Sequence, residues 1–254
     1  MRRALLLRAG AVAFAAAIIG LWQILAEANV FSPVFLPAPT RTFDALAAVV
    51  QRDAWWQSLA ATCIRMLYGW GLASIVGILL GAAIARSAAC RAYLDPMLQF
   101  LRPLPASVFI PPAILFLGLT TQMVVTVIAL GAVWPVLLGS YQGFRSVDSR
   151  LDEVASVLEM RPLPFLWKMA LPSALADIFA GVRVSLAIAL ILAVVTEMQA
   201  SQPGLGFNLM MAQRSFRSPD LYAGIVVLGA LGFITNQVLG MAESYLLRWR
   251  RMSH

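Results

Sequence analysis

Charge is scarce in this chain. Only 12% of the 254 residues are Asp, Glu, Lys or Arg, while 61% are hydrophobic, and the mean hydropathy is +0.81. A soluble globular domain is about a quarter charged and about half apolar. No polar stretch here is long enough to fold such a domain. Histidine occurs once, as His254, and lysine once, as Lys168. Histidine-based catalysis and histidine metal sites are therefore not expected. Lys168 lies in FLWKMALP with no glycine near it, and no GxxxxGK[ST] loop exists to cradle a nucleotide. The two cysteines, Cys63 and Cys90, sit in or beside apolar runs, which favours packing over a disulfide framework. No HExxH, paired CxxC or GxSxG is present. No catalytic residue, metal or cofactor is expected.

Long apolar runs make up most of the rest. A bilayer core takes about 20 apolar residues per helix, so five or six spans fit in an all-α, polytopic membrane protein. Residues 9–26 follow Arg2, Arg3 and Arg8. This arrangement also describes a signal peptide, but the run is long and no A-x-A-like site follows, so a retained first span is expected. Pro33, Pro37 and Pro39 break the chain next. Phe43, Leu46, Ala47 and Val50 then recur at helical spacing, predicting a short amphipathic helix along the membrane surface, with Trp55 and Trp56 as an aromatic anchor.

Further spans are expected over 58–85, 97–117, 123–141, 178–199 and 222–245, giving six in all. Gly77 and Gly81 form a GxxxG close-packing pair. The third span holds Pro103, Pro105, Pro111 and Pro112, so it must be bent or interrupted, with its freed carbonyls facing protein or a wet cavity. GLGF, from Gly204 to Phe207, reads as a turn in an external loop. The expected organisation is a helix and amphipathic segment over 1–56, then a five-span core over 57–254.

The net charge is +7. Its distribution bears on topology, not on nucleic acid. With six spans and both termini inside, thirteen of the 19 bases (including Arg86, Arg91, Arg145, Arg150, Arg161, Lys168 and Arg248) fall on the inner side. That agrees with the positive-inside rule and puts residues 147–172 in the cytoplasm. Three charges are intramembrane suspects by residue type. Arg65 and Arg183 are near span ends and could snorkel. Glu197 is balanced between an interfacial and a path-facing position.

Residues 147–172, VDSRLDEVASVLEMRPLPFLWKMALP, concentrate seven charges: Asp148, Asp152, Glu153, Glu159, Arg150, Arg161 and Lys168. Asp148 suits a helix N-cap, with Asp152 and Glu153 in the first turns, where the helix dipole favours acids. Leu151, Val154, Ala155 and Leu158 share one helical face. Pro162 and Pro164 are expected to end this helix, a second short helix to cover 165–169, and Leu171-Pro172 to break before the next span. An apolar face on a cytoplasmic hairpin calls for a protein partner.

At this point the chain resembles a family. Glu153-Val154-Ala155, followed by Met169-Ala170-Leu171-Pro172, is similar to the EAA motif of binding-protein-dependent ABC importer permeases. Val154 replaces the middle alanine, and Glu159 stands where relatives carry glycine. LPAPTRTFDAL, YLDPMLQFLRPLPASVFIPPAILFLG and FRSVDSRLDEVASVL also resemble permeases for taurine, aliphatic sulfonates, nitrate and thiamine-precursor pyrimidines.

The resemblance implies a type I importer permease (MetI-like) fold in a bacterial inner membrane. It also implies a second permease copy, two cytoplasmic ATPase subunits and an external substrate-binding protein. On this reading Asp152, Glu153, Ala155, Leu158, Glu159, Leu171 and Pro172 form the ATPase-coupling element. Pro105, Pro111 and Glu197 are candidates for the translocation path. The rival readings are an ATPase-independent channel or membrane enzyme, which would need polar groups at depth, and a secondary carrier, which would need internal repeats.

Overall fold

The computed structural model describes residues 2–101 and 104–248. Among these residues the regular structure is entirely helical. The helices are α1 (Arg2–Glu27), α2 (Pro39–Val50), α3 (Asp53–Arg86), α4 (Ala88–Leu101), α5 (Ile110–Leu117), α6 (Thr121–Arg145), α7 (Ser149–Val157), α8 (Pro162–Phe165), α9 (Leu171–Ala200), α10 (Leu205–Arg214) and α11 (Ser218–Leu246). α3, α6, α11 and the continuous helix Leu166–Ala200 are each long and apolar enough to cross a membrane. α1 has 26 residues, also a spanning length at about 1.5 Å per residue.

The expected third span is not one helix. α4 stops at Leu101, a 3-10 turn covers Ala106–Phe109, and the eight-residue α5 follows. Its prolines explain the break, since each lacks the N–H a continuing helix needs. Pro103 lies outside the described residues. The predicted boundary at 56/57 falls within the first turns of α3.

The core is α3, α6 and α9. α3 and α6 run parallel, and α9 runs antiparallel to both. With no hydrophobic drive between helices in lipid, contact depends on close backbone approach at small residues. Gly77 provides one such contact, because a Cβ there would lie 2.8 Å from Val136 Cβ. Gly139 provides another, because its Cβ would lie 2.6 Å from the Asp177 carbonyl oxygen. Val124, Val127, Ile128, Ala132 and Val136 of α6 are fully buried between the other two helices. Ser185 Oγ donates to the Ala132 carbonyl at 2.7 Å, and Trp70 Nε1 donates to Val182 O at 3.1 Å.

The expected short helix is α2, which is exposed on one side and packs its other edge against α11. Thr42 is buried and Leu46 and Val49 face α10 and α11 across a groove, while Phe43, Ala47 and Val50 of the predicted stripe are exposed. The loop before it ties α1 to α11. Trp22 Nε1 donates to Pro37 O at 3.1 Å, Tyr222 Oη donates to Phe35 O at 3.1 Å, and Ser218 Oγ donates to Val34 O.

Candidate functional site

The charged stretch folds as a helical hairpin. Asp148 caps α7 by accepting the Arg150 N–H at 2.9 Å. The far end closes differently from the sequence expectation. Glu159 N–H donates to Ser156 O at 3.1 Å, and Met160 N–H donates to Ala155 O at 2.9 Å. This pair of bonds satisfies the last carbonyls of a helix whose next residue is left-handed. That residue is Glu159, at φ 48°. The conformation is one that glycine adopts freely and other residues adopt at about 1–2 kcal/mol. The turn thus keeps the geometry a glycine would have, with a carboxylate attached.

Pro162 does not end α7; it opens the next helix, where its missing N–H is harmless. Nor does Leu171-Pro172 break the chain. α8, a wide π-type turn over Leu166–Ala170 and α9 form one continuous helix. The wide turn directly precedes Pro172 and absorbs its missing N–H. The second arm of the hairpin is therefore the first part of the spanning helix itself.

The predicted apolar stripe divides into two. Ala155 is buried in the core cluster that also holds Phe165 and Ala170, and Leu151 packs against that cluster. The Arg86 guanidinium lies 4.8 Å above the Phe165 ring. Val154, Val157, Leu158 and Trp167 face outward, with Val157 82% and Trp167 62% exposed. Glu153 and Glu159 are exposed beside them. Leu171 and Pro172 are half-buried at the root of α9, on the inner side of the hairpin. Asp152 is in α7; its side chain lies outside the described ones.

Pro105 and Pro111 flank the 3-10 turn of the broken segment, and both are exposed. Glu197 is placed elsewhere: it has no accessible surface. Thr62 Oγ1 lies 3.0 and 2.9 Å from its two carboxylate oxygens. Arg65 Nη1 donates to Oε1 at 3.0 Å, and Gly206 N–H donates to Oε2 at 3.0 Å. Around this pair, Arg65 also donates to Pro203 O at 2.7 Å and Thr62 accepts the Leu205 N–H at 2.9 Å.

Arg65 therefore does not snorkel; it is buried at 7% exposure in an ion pair with Glu197. GLGF is not a plain turn either. A Cβ at Gly204 would overlap the Glu197 carboxylate, and one at Gly206 would overlap the Val194 carbonyl. The two glycines let the N-terminus of α10 close over the acid, where the helix dipole favours it. Arg183 also pairs with an acid, Glu243 of α11, but this ion pair is exposed.

Arg65 and Glu197 stand out singly in the sequence, whereas Thr62, Gly204 and Gly206 carry no local sign of being their partners. The available signal was two opposite intramembrane charges plus a glycine pair directly after one of them.

The sequence family described as binding-protein-dependent transport system inner membrane component matches residues 73–248. The chain is 33% identical over 235 residues to a Bacillus subtilis (strain 168) protein named as an aliphatic sulfonates transport permease, SsuC, covering 92% of this chain and 85% of that one. It is 28% identical over 239 residues to the taurine transport system permease protein TauC of Escherichia coli (strain K12), covering 92% and 87%. Against the bicarbonate transport system permease protein CmpB of Synechococcus elongatus it is 27% identical over 238 residues, covering 90% and 85%.

Two solved structures share the fold. An amino acid ABC transporter chain superposes with TM-score 0.61 at 15% identity, covering 80% of this chain and 97% of that one. A chain of the inward-facing MetNI methionine ABC transporter gives 0.57 at 18% identity, covering 77% and 93%. The chain belongs to the binding-protein-dependent transport system inner membrane components, the multi-pass permease subunits of ABC importers.

Proposed function

We propose that the hairpin over 147–172 is the face on which a cytoplasmic ATPase docks, and that this chain works as one of two copies in an importer fed by an external binding protein. One observation carries the reading. Val154, Val157, Leu158 and Trp167 form an exposed apolar face on the most charged segment of the chain, and the hairpin's second arm is continuous with a spanning helix. An apolar patch in water marks an interaction site. A side chain of Trp167's size suits a central anchor in a partner's pocket. Glu153, Glu159 and Lys168 beside it would set register and partner choice more than affinity. Ala155, Leu171 and Pro172 would act from beneath, by holding the face in shape.

The positive-inside count supports a cytoplasmic position for residues 147–172 and both termini. The broken segment around Pro105 and Pro111 is the part of the proposed path where irregular backbone must meet protein or water. Glu197 acts from inside the protein, not on the path surface. The substrate class proposed is a small sulfonate or oxyanion of the kind its relatives are named for: an aliphatic sulfonate, zwitterionic taurine or bicarbonate.

The test is to purify the assembled importer through a tag on this chain. A soluble ATPase should copurify with it, and should be lost from the Trp167→Asp variant while the permease remains folded. Retention of the ATPase on Trp167→Asp and Leu158→Asp would place the docking face elsewhere. Uptake of radiolabelled taurine, ethanesulfonate and bicarbonate by cells carrying the whole importer then decides among the substrates.

A further inference from the structure

The hairpin and the buried Arg65–Glu197 pair lie at opposite ends of one helix. Leu166–Ala200 is unbroken over 35 residues, or about 50 Å at 1.5 Å per residue. Trp167 is one residue from its first end and Glu197 three residues from its last. Beyond Ala200 the chain turns through Ser201, which is left-handed at φ 50°, and reaches α10 within a few residues. Covalently, α10 is only tethered to α9. Apolar packing of Leu205, Leu209, Met210 and Ala212 seats it on its neighbours, and the polar knot pins its N-terminus in direction and register. Glu197 holds the Gly206 N–H, while Thr62 and Arg65 of α3 hold the Leu205 N–H and the Pro203 carbonyl. Thr62 and Glu197 are fully buried and Arg65 nearly so.

We propose that the Thr62–Arg65–Glu197 knot is the joint through which movement of the hairpin is delivered to α10. The proposal rests on the reading of the hairpin as the ATPase-docking element. A hinge of apolar contacts could slide, because dispersion contacts are weak singly and interchangeable. A desolvated ion pair with short hydrogen-bonding partners cannot slide, since any partly separated state leaves a buried charge unpaired. The Glu197 end of α9 therefore moves together with the N-terminus of α10 and with the turn of α3 that holds Thr62 and Arg65. α10 in turn supplies Leu205, Asn208, Leu209 and Ala212 to a cavity of about 220 Å³, shared with α2, α3 and α11. Rocking the hairpin end of α9 reshapes that cavity at the far end.

The experiment uses the assembled importer, with the ATPase subunit that copurifies and MgATP as the probe. Gln213 of α10 is exposed. A bimane fluorophore is placed there as Gln213→Cys in a Cys63→Ala, Cys90→Ala background. Its emission is read with MgATP and again after trapping with orthovanadate. The expected result is an emission shift on trapping in the parent. Glu197→Gln and Thr62→Val should lose that shift while ATP turnover and ATPase copurification persist. Thr62→Ser keeps the hydroxyl and should restore it.

A shift that survives in both Glu197→Gln and Thr62→Val overturns the joint. So does a parent that hydrolyses ATP with no shift at Gln213→Cys. If no ATPase copurifies at all, the docking reading itself has failed, and the joint falls with it. Thr62→Val is the milder variant and keeps the test usable should Glu197→Gln fail to fold.

Discussion

Replacing Glu197 by Gln tests the buried pair most severely. The change keeps the shape of the side chain and removes its charge. Arg65, 3.0 Å away and 7% exposed, is left without a counter-ion, and Gly206 N–H loses a charged acceptor. Breaking a buried pair from one side costs about 3–5 kcal/mol, because the surviving charge remains desolvated. For a chain of this size, 1 kcal/mol shifts the thermal midpoint by about 2–4 °C, so a drop of about 10 °C is expected.

The chain has its own reporters, since Cys63 and Cys90 are free and half-buried. A thiol-reactive dye should label them as the detergent-solubilised protein unfolds. The companion variants are Glu197→Met and Arg65→Met, each alone and the two together. The double variant should be no less stable than either single one, so the coupling energy should be at least as large as the cost of one single change, about 3 kcal/mol or more. A Glu197→Gln midpoint close to the parent's, or singles that simply add in the double, would show that the two charges do not depend on each other.

Three further outcomes follow from the same geometry. Glu159→Gly should stabilise the hairpin by about 1 kcal/mol, because it removes the side-chain penalty at φ 48°. Slower proteolysis within 147–172 would show this, and faster proteolysis would contradict it. Gly139→Val should be strongly destabilising, because even its Cβ meets the Asp177 carbonyl at 2.6 Å. Overpacking of this kind costs about 1–3 kcal/mol or more, and dye-monitored melting should show a fall in midpoint. Gly204→Val should reproduce the Glu197→Gln phenotype, because the new side chain would overlap the Glu197 carboxylate; parent-like melting would count against the capping role of GLGF.

Membrane class, helical content and the hairpin were legible in the sequence, because each depends on local composition. Hydropathy sets a span wherever it falls, and Asp148 announces a helix start whatever the partner. The ends of the hairpin were less legible. Pro162 signals a boundary without saying whether it closes one helix or opens the next, and only the turn at Glu159 decides. Pro172 looked like a break because nothing local foretells a wide helical turn one residue upstream.

The knot was the least legible. Arg65 and Glu197 are 132 residues apart, so each was read against bulk lipid or water instead of against the other. Thr62 gives no signal at all, since a threonine in an apolar run ordinarily bonds its own helix; here its Oγ1 lies 3.1 Å from Ser58 O and 2.9 Å from Glu197 Oε2, so its single proton is shared between its own helix and the acid. The outward stripe was half right for a related reason. Periodicity shows that Leu151, Val154, Ala155 and Leu158 share a face, but not which edge of it the core covers.

The central claim is that the exposed hairpin face meets the ATPase. Site-specific photo-cross-linking in the assembled importer tests it directly. A photoreactive phenylalanine analogue is placed at Trp167 and, as a control, at Phe116 of α5, which is 82% exposed and lies at the other end of the core. A covalent product between the chain and the ATPase from position 167 and none from position 116 is the predicted result. A product from 116 with none from 167 would contradict the docking face, and with it the route from ATP to the spanning helices.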